Sequence, residues 1–268
     1  PCTGVAIAAK RAFGNNHLFV SAIEDHAVLH TAEYLRANGF ELTIVPVDHF
    51  GIVNPDDVRS SIRPTTSIVS IMHANNEIGT IQPVEEVAQV VHEHGIVFHS
   101  DTVQSVGKIP VNVERLSVDV LAISAHKFYG PKGIGAVYIR RGVEIDSIIQ
   151  GGAQERNRRA GTENVPLAVG FAKAAEISQQ GLPEQTGRLN SLKERLKNSL
   201  SEKFNCIIFN GHPTKTLSTI VNVSFDSSKI DIDGEALLLN MDLHGIAVTS
   251  GSACSSGSME PSHVLHAI

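Results

Sequence analysis

Short runs rich in β-branched residues, His17 to Ile23, Glu41 to Val47, Ser67 to Met72, Ile96 to Ser100, Val118 to Ser124 and Ile134 to Ile139, alternate with longer segments of helical period over the first two thirds of the chain. This alternation constrains the fold more than any other feature. Runs that are apolar almost without interruption belong to strands buried on both faces, and such strands need helices above and below a mostly parallel sheet. Two of the intervening helices are punctuated clearly. Asp25 to Ala37 is stopped by Asn38-Gly39, and Pro83 to Glu93 opens with proline and acidic residues and is stopped by Gly95.

Beyond Thr162 the pattern changes. A helical stretch from Val165 to Gln180 meets a break at Gly181-Leu182-Pro183, and a charged amphipathic helix follows through Leu192, Leu196 and Leu200. The expected remainder is a strand from Cys206 to Phe209, a strand from Thr219 to Phe225, a helix from Asp233 to Leu243 and a strand from Ile246 to Thr249. The reading is therefore α/β, with a large domain over residues 1–182 and a smaller α+β domain over 183–268.

With 268 residues, 42% hydrophobic and 19% charged, the chain can bury a sizeable core. A net charge of -6 leaves no basic footprint for nucleic acid or an anionic membrane surface, which favours small-molecule chemistry. The three cysteines, Cys2, Cys206 and Cys254, are too irregularly spaced for a disulfide framework or paired zinc ligands, and a reducing, cytoplasmic setting is expected. His92 and His94 stand two apart on a helix and face different ways, as surface histidines do rather than metal ligands.

Chemistry concentrates in a few stretches. In Ser124-Ala125-His126-Lys127-Phe128-Tyr129-Gly130 an apolar strand delivers Lys127 onto a glycine-rich turn at the strand's carboxyl end, where open α/β sheets bind ligands. A partly desolvated lysine there can form a Schiff base with an aldehyde; an ordinary surface lysine would read the same in isolation. Asp101 follows another apolar run to the same edge, as a partner for a protonated ring nitrogen or as a helix cap. Gln104 lies three residues on. Cys254 sits among small, flexible residues from Ser250 to Ser258, which suits an accessible nucleophile better than a packed thiol. The run Gly151 to Thr162, with its glycines, arginines and threonine, suits an anion such as a phosphate, or is a solvated loop.

Taken together these stretches resemble the NifS/IscS-type cysteine desulfurases, of the class-V aminotransferase group, from about His17 to Ile268. His73-Ala74-Asn75-Asn76-Glu77-Ile78-Gly79 resembles that family's asparagine motif, Asp101 to Gln104 its aspartate and glutamine, Ser124 to Lys127 its lysine segment, and Ser250 to Pro261 its catalytic-cysteine loop. The resemblance implies a fold-type-I transferase with a three-layer α/β/α large domain, a homodimer, and pyridoxal 5'-phosphate held on Lys127. It would place Asn76 beside the ring substituents, Asp101 on the ring nitrogen, Gln104 on the phenolic oxygen, and Ser124 with His126 near the phosphate. Thr162 would reach the phosphate of the neighbouring subunit's cofactor. Cys254 would take sulfur from L-cysteine as a persulfide, releasing alanine, and pass it to an acceptor such as an iron-sulfur scaffold protein or a thiolation pathway.

The pattern departs from the family at three places. Asp25 stands where the family has a histidine that stacks on the cofactor, with His26 one position on, turned away by helix geometry. Pro1-Cys2-Thr3-Gly4 matches the family's phosphate loop poorly, and Ile268 precedes the arginine expected to bind the substrate carboxylate, so shortening at both ends is expected. A selenocysteine lyase would use the same lysine chemistry, and a non-catalytic scaffold binding sulfur-transfer partners would keep the same fold.

Overall fold

The computed structural model describes residues 2–250 and 262–268. Its centre is a sheet of strands β1 (His17–Ser21), β2 (Glu41–Val45), β3 (Thr66–Ser70), β4 (Val97–Asp101), β5 (Val120–Ser124) and β6 (Gly135–Ile139). They lie in the order β2-β1-β3-β4-β5-β6. The first five are mutually parallel and β6 closes the far edge antiparallel to β5. Each of these six expected strands is present, with its ends within two residues of the expected bounds. A separate antiparallel pair joins β7 (Ile207–Asn210) to β8 (Asn222–Phe225).

The helices are α1 (Cys2–Phe13), α2 (His26–Ala37), α3 (Pro55–Ser61), α4 (Val84–Glu93), the short α5 (Val113–Leu116), the irregular turn α6 (Gln154–Asn157), α7 (Val165–Lys203), α8 (Gly234–Leu243) and α9 (His263–Ala267). Because successive strand residues point to opposite faces, one set of strand side chains packs each helix layer. Phe19, Val69, Phe98 and Leu121 meet Val58 of α3 and Val84, Val87 and Val91 of α4. Leu18, Ile68 and Val120, on the other face, meet Val5 and Ala6 of α1 and Leu35 of α2. This is the three-layer α/β/α arrangement expected from the continuous apolar runs.

Two expectations fail. The break at Gly181-Leu182-Pro183 is absent: α7 runs through it with Pro183 inside. Proline in a helix leaves the carbonyl four residues back without its donor, but Pro183 and Gln179 are both at exposed positions, where water can satisfy that group. Ile246 to Thr249 is not a strand, since β-branched composition alone cannot hold one without a hydrogen-bonded neighbour, and Ile246 and Val248 are about half exposed. The strand expected over Thr219 to Phe225 is confined to β8.

The connections set the location of the site. From β1 the chain moves to β2 on one side, then crosses back to β3 on the other. The carboxyl ends of β1 and β3 therefore flank a topological switch point, where such sheets leave a crevice for a ligand.

Candidate active site

At that edge β3 ends at Ser70, and the chain passes a bend at His73 and a bridge at Ala74 into a turn that begins at Asn76. The two asparagines have different tasks. Asn75 is fully buried; its Oδ1 accepts from the amides of Glu77 at 2.8 Å and Ile78 at 2.9 Å, and its Nδ2 donates to the Ile23 carbonyl at 2.9 Å. It shapes the turn. Asn76, half-buried, makes no side-chain hydrogen bond among the described residues, so its amide is available to a ligand.

Asp101 ends β4, where its carbonyl accepts from the His73 amide at 2.8 Å. Its Oδ1 accepts from the Val103 amide at 2.8 Å, and Oδ2 has no partner among the described residues. Burial pushes this carboxyl up to about 6, helped by the negative charge of Asp25 and opposed by the Val103 bond and by the positive charge of Lys127. It is thus a carboxylate short of positive charge, the condition that a protonated ring nitrogen would relieve.

Gln104 lies in the turn after β4, and its Oε1 accepts from Lys108 Nζ at 2.6 Å. With the oxygen occupied, the amide NH2 is the end left to donate, as an anionic oxygen on a ligand requires. Burial and the charge of Lys127 lower Lys108 to about 8. Lys108 escaped the sequence reading, although its spacing of four residues from Gln104 was a visible signal.

Ser124 ends β5, and a 3-10 turn, Ala125–Phe128, follows at once. The turn projects His126 and Lys127 from the same edge, with the Ser124 hydroxyl 2.8 Å from His126 Nδ1. Tyr129 closes it in the left-handed region at φ 66°, and Gly130 packs back on Ala125, where a Cβ would come within 2.9 Å of the Ala125 carbonyl oxygen. Lys127 is half-buried and makes no ion pair among the described residues.

Asp101, Gln104, Ser124, His126, Lys127 and Asn76 therefore stand on one sheet edge, from three neighbouring strands. Their donors fit pyridoxal phosphate: an under-compensated buried carboxylate for the ring nitrogen, an amide for the phenolic oxygen, a hydroxyl and imidazole for the phosphate, and a lysine for the aldehyde.

Two other expected residues are placed differently. Thr162 is exposed, in a loop where Glu155, Arg156 and Asn157 all adopt positive φ, and among the described residues nothing connects it to that edge. Cys254 lies outside the described residues.

The departures from the family pattern also find a local account. Asp25 is the N-cap of α2, its carboxylate accepting from the Ala27 amide at 2.9 Å, which is favourable at a helix N-terminus. His26 opens the helix, stacked on His30 and tilted against His263, both with centroids 4.7 Å away. Cys2, Thr3 and Gly4 are helical in α1 rather than forming a loop. His92 is more than a surface histidine: Nε2 lies 2.9 Å from Asp119 Oδ2. Sequence spacing gives no sign of a pairing between residues so far apart.

Comparison with known proteins places the chain in a family. The family model "Aminotransferase class-V" matches residues 3–268. A protein named cysteine desulfurase IscS from Methanosarcina thermophila is 51% identical over 251 residues, covering 94% of this chain and 61% of that protein. The chain thus spans about three fifths of that relative's length. Among solved structures, a NifS-like protein superposes with a TM-score of 0.88 at 38% identity, covering 99% of this chain and 68% of the other. One described as SspA in complex with cysteine gives a TM-score of 0.81 at 34% identity, covering 98% and 72%. With a lysine, an aspartate and a glutamine placed together at the carboxyl edge and a match along nearly its whole length, the chain belongs to the class-V aminotransferase family, in its NifS/IscS-type cysteine desulfurase group.

Proposed function

We propose that this chain carries the cofactor site and sulfur-accepting cysteine of a pyridoxal-phosphate-dependent cysteine desulfurase acting on L-cysteine. The observation that carries the reading is the grouping of Lys127, Gln104 and the charge-deficient carboxyl of Asp101 on one sheet edge. The names of the relatives, and a related structure described as holding cysteine, support the same substrate.

In this reading Asp101 Oδ2 takes the ring nitrogen and holds its proton, and the Gln104 amide donates to the phenolic oxygen. Ser124 and His126 bind the phosphate, joined by Thr162 of a second copy in a homodimer, and Asn76 borders the ring. When bound, pyridoxal phosphate supplies an electron sink for carbanionic charge next to the amino group of an amino acid. Lys127 would hold the aldehyde, and its amine would serve as the base that moves the substrate's α-proton. The Cys254 thiolate attacks the substrate sulfur: a sulfur-sulfur bond forms, the carbon-sulfur bond breaks, and the carbon takes up a proton. L-cysteine and one thiol thereby become L-alanine and one persulfide, with atoms and electrons in balance. Delivery to an iron-sulfur scaffold or thiolation acceptor, a cytoplasmic location, and the division into domains 1–182 and 183–268 belong to the same proposal. Among the described residues no helix is long and apolar enough to cross a membrane.

The test is direct. Purified chain mixed with pyridoxal phosphate and then borohydride should carry the cofactor on the peptide containing Lys127, and Lys127→Ala should not. Added L-cysteine and reductant should yield alanine and sulfide, and Cys254→Ala should lose both while still binding cofactor. Cofactor bound at another lysine, or alanine formed at an undiminished rate by Cys254→Ala, would overturn the assignment.

A further inference from the structure

The segment that carries Asn76 leaves the sheet beside a second carboxyl, that of Glu24, which is wholly buried. Glu24 Oε1 accepts from the Ser21 hydroxyl at 2.6 Å and from the Met72 amide at 2.7 Å. One oxygen thus joins the end of β1 to the chain just beyond β3. Neighbouring bonds extend the junction: Asn75 Nδ2 to the Ile23 carbonyl at 2.9 Å, and the His73 amide to the Asp101 carbonyl at 2.8 Å. From α9, His263 Nε2 lies 2.9 Å from the Glu24 main-chain oxygen.

Glu24 Oε2, in contrast, is buried without a hydrogen-bond partner among the described residues. An ionised carboxyl with one oxygen so placed loses far more hydration than a neutral one does. Among the described residues, the titratable groups around it are Asp25 at the start of α2, Asp101 on β4, the Cys2 thiol on α1 and His263 on α9. None is a fixed cation. Burial accordingly pushes the Glu24 carboxyl up to about 8, against the pull of its bonds to Ser21 and Met72.

We propose that Glu24 is a positioning residue of the cofactor site, a neutral buried carboxyl whose Oε1 locks the end of β1 to the segment 71–76 and so fixes Asn76 and Asp101 relative to each other. Its service to the cofactor rests on the function proposed above; the lock and the proton do not. Glu24→Gln preserves shape, neutrality and the accepting oxygen. Glu24→Asp, one methylene shorter, keeps a carboxyl but cannot span to both donors.

Hydrogen exchange of the full chain, read by mass spectrometry, should leave segment 71–77 as protected in Glu24→Gln as in the unaltered protein and expose it about tenfold or more in Glu24→Asp. Infrared difference spectra at neutral pH should show a protonated carboxyl that vanishes in Glu24→Gln. Affinity for pyridoxal phosphate should stay within about threefold in Glu24→Gln and fall about tenfold or more in Glu24→Asp. Should Glu24→Asp fail to fold, Ser21→Ala removes one of the two donors and should give a smaller acceleration of the same amides. Equal protection in all variants, or an ionised Glu24 at neutral pH, would overturn the proposal. If the unaltered chain takes up no cofactor, the functional reading falls while exchange and infrared spectra still decide the lock.

Discussion

Two buried aspartates at opposite ends of the central sheet differ in how far the protein satisfies their charge, one within the fold and one at the candidate site. Asp119 precedes β5 at the amino edge and is nearly buried, and its lone pairs are well used. Oδ2 accepts from the Phe98 amide and from His92 Nε2, both at 2.9 Å, and Arg140 Nε lies 3.5 Å from Oδ1. Asp101, on the adjoining strand at the carboxyl edge, has one amide and an oxygen with no partner. A carboxylate satisfied by the protein pins elements together, whereas one held short of positive charge at the ligand-binding edge stores a preference for a cation.

The largest effect that could break this comparison is on turnover. Asp101→Asn should lower alanine formation by about a hundredfold or more, the scale of losing a preorganised electrostatic contact, without lowering the unfolding midpoint of the cofactor-free chain. Steady-state assays beside thermal melts check both halves, and a variant that unfolds early would place Asp101 with Asp119 as a structural residue. Asp119→Ala should show the converse, a stability loss of about 3 kcal/mol in urea denaturation, because it leaves the buried Phe98 amide without its acceptor, whereas Arg140 keeps Glu114 and the carbonyls of Val113 and Val118. Its cofactor affinity should not change.

A smaller effect separates the two through pH. Asp101 keeps its proton in the folded chain up to about 6, whereas the unfolded chain loses it near the ordinary aspartate value of 3.8. Between those values the native state binds more protons, so rising pH reduces stability across that window and has no further effect above it. Relative to the unaltered chain, Asp101→Asn should therefore gain on the order of 2 kcal/mol between pH 4 and pH 6.5 and then level off. Glu24 titrates from a higher folded value in both proteins, and because the Asp101 charge is a lesser cause of its shift than burial, it largely cancels in the difference. Melts of the cofactor-free chain across this range provide the measurement, and a constant difference would show that Asp101 is already compensated.

Much of this contrast was legible in the sequence on one side only. Lys127, Asp101 and Gln104 could be singled out because apolar strand runs end where the carboxyl edge begins, so a polar residue just past each run marks the candidate site. Asp119 and Glu24 were not, since a carboxylate becomes informative through partners distant in the chain: Phe98, His92 and Arg140 for one, Ser21 and Met72 for the other. The same limit explains α7 and residues 246–249. A Gly-Leu-Pro run reads as a break, and a β-branched run as a strand, until solvent exposure and strand pairing are known.

The smallest prediction probes how Asp119 is held. His92 contributes one of several contacts to that carboxylate, and its side chain is 38% exposed against 12% for Asp119. An ion pair open to water on one side contributes about 1 kcal/mol or less, and the Phe98 amide and Arg140 remain in place when it is removed. His92→Ala should therefore cost no more than about 1 kcal/mol in urea denaturation, a fraction of the loss in Asp119→Ala. The rest of that larger loss belongs to the buried backbone amide, which no change at His92 disturbs. If the two variants proved equally unstable, the carboxylate would depend on a single partner, and the difference from Asp101 would be one of geometry alone rather than of how fully the protein satisfies the charge.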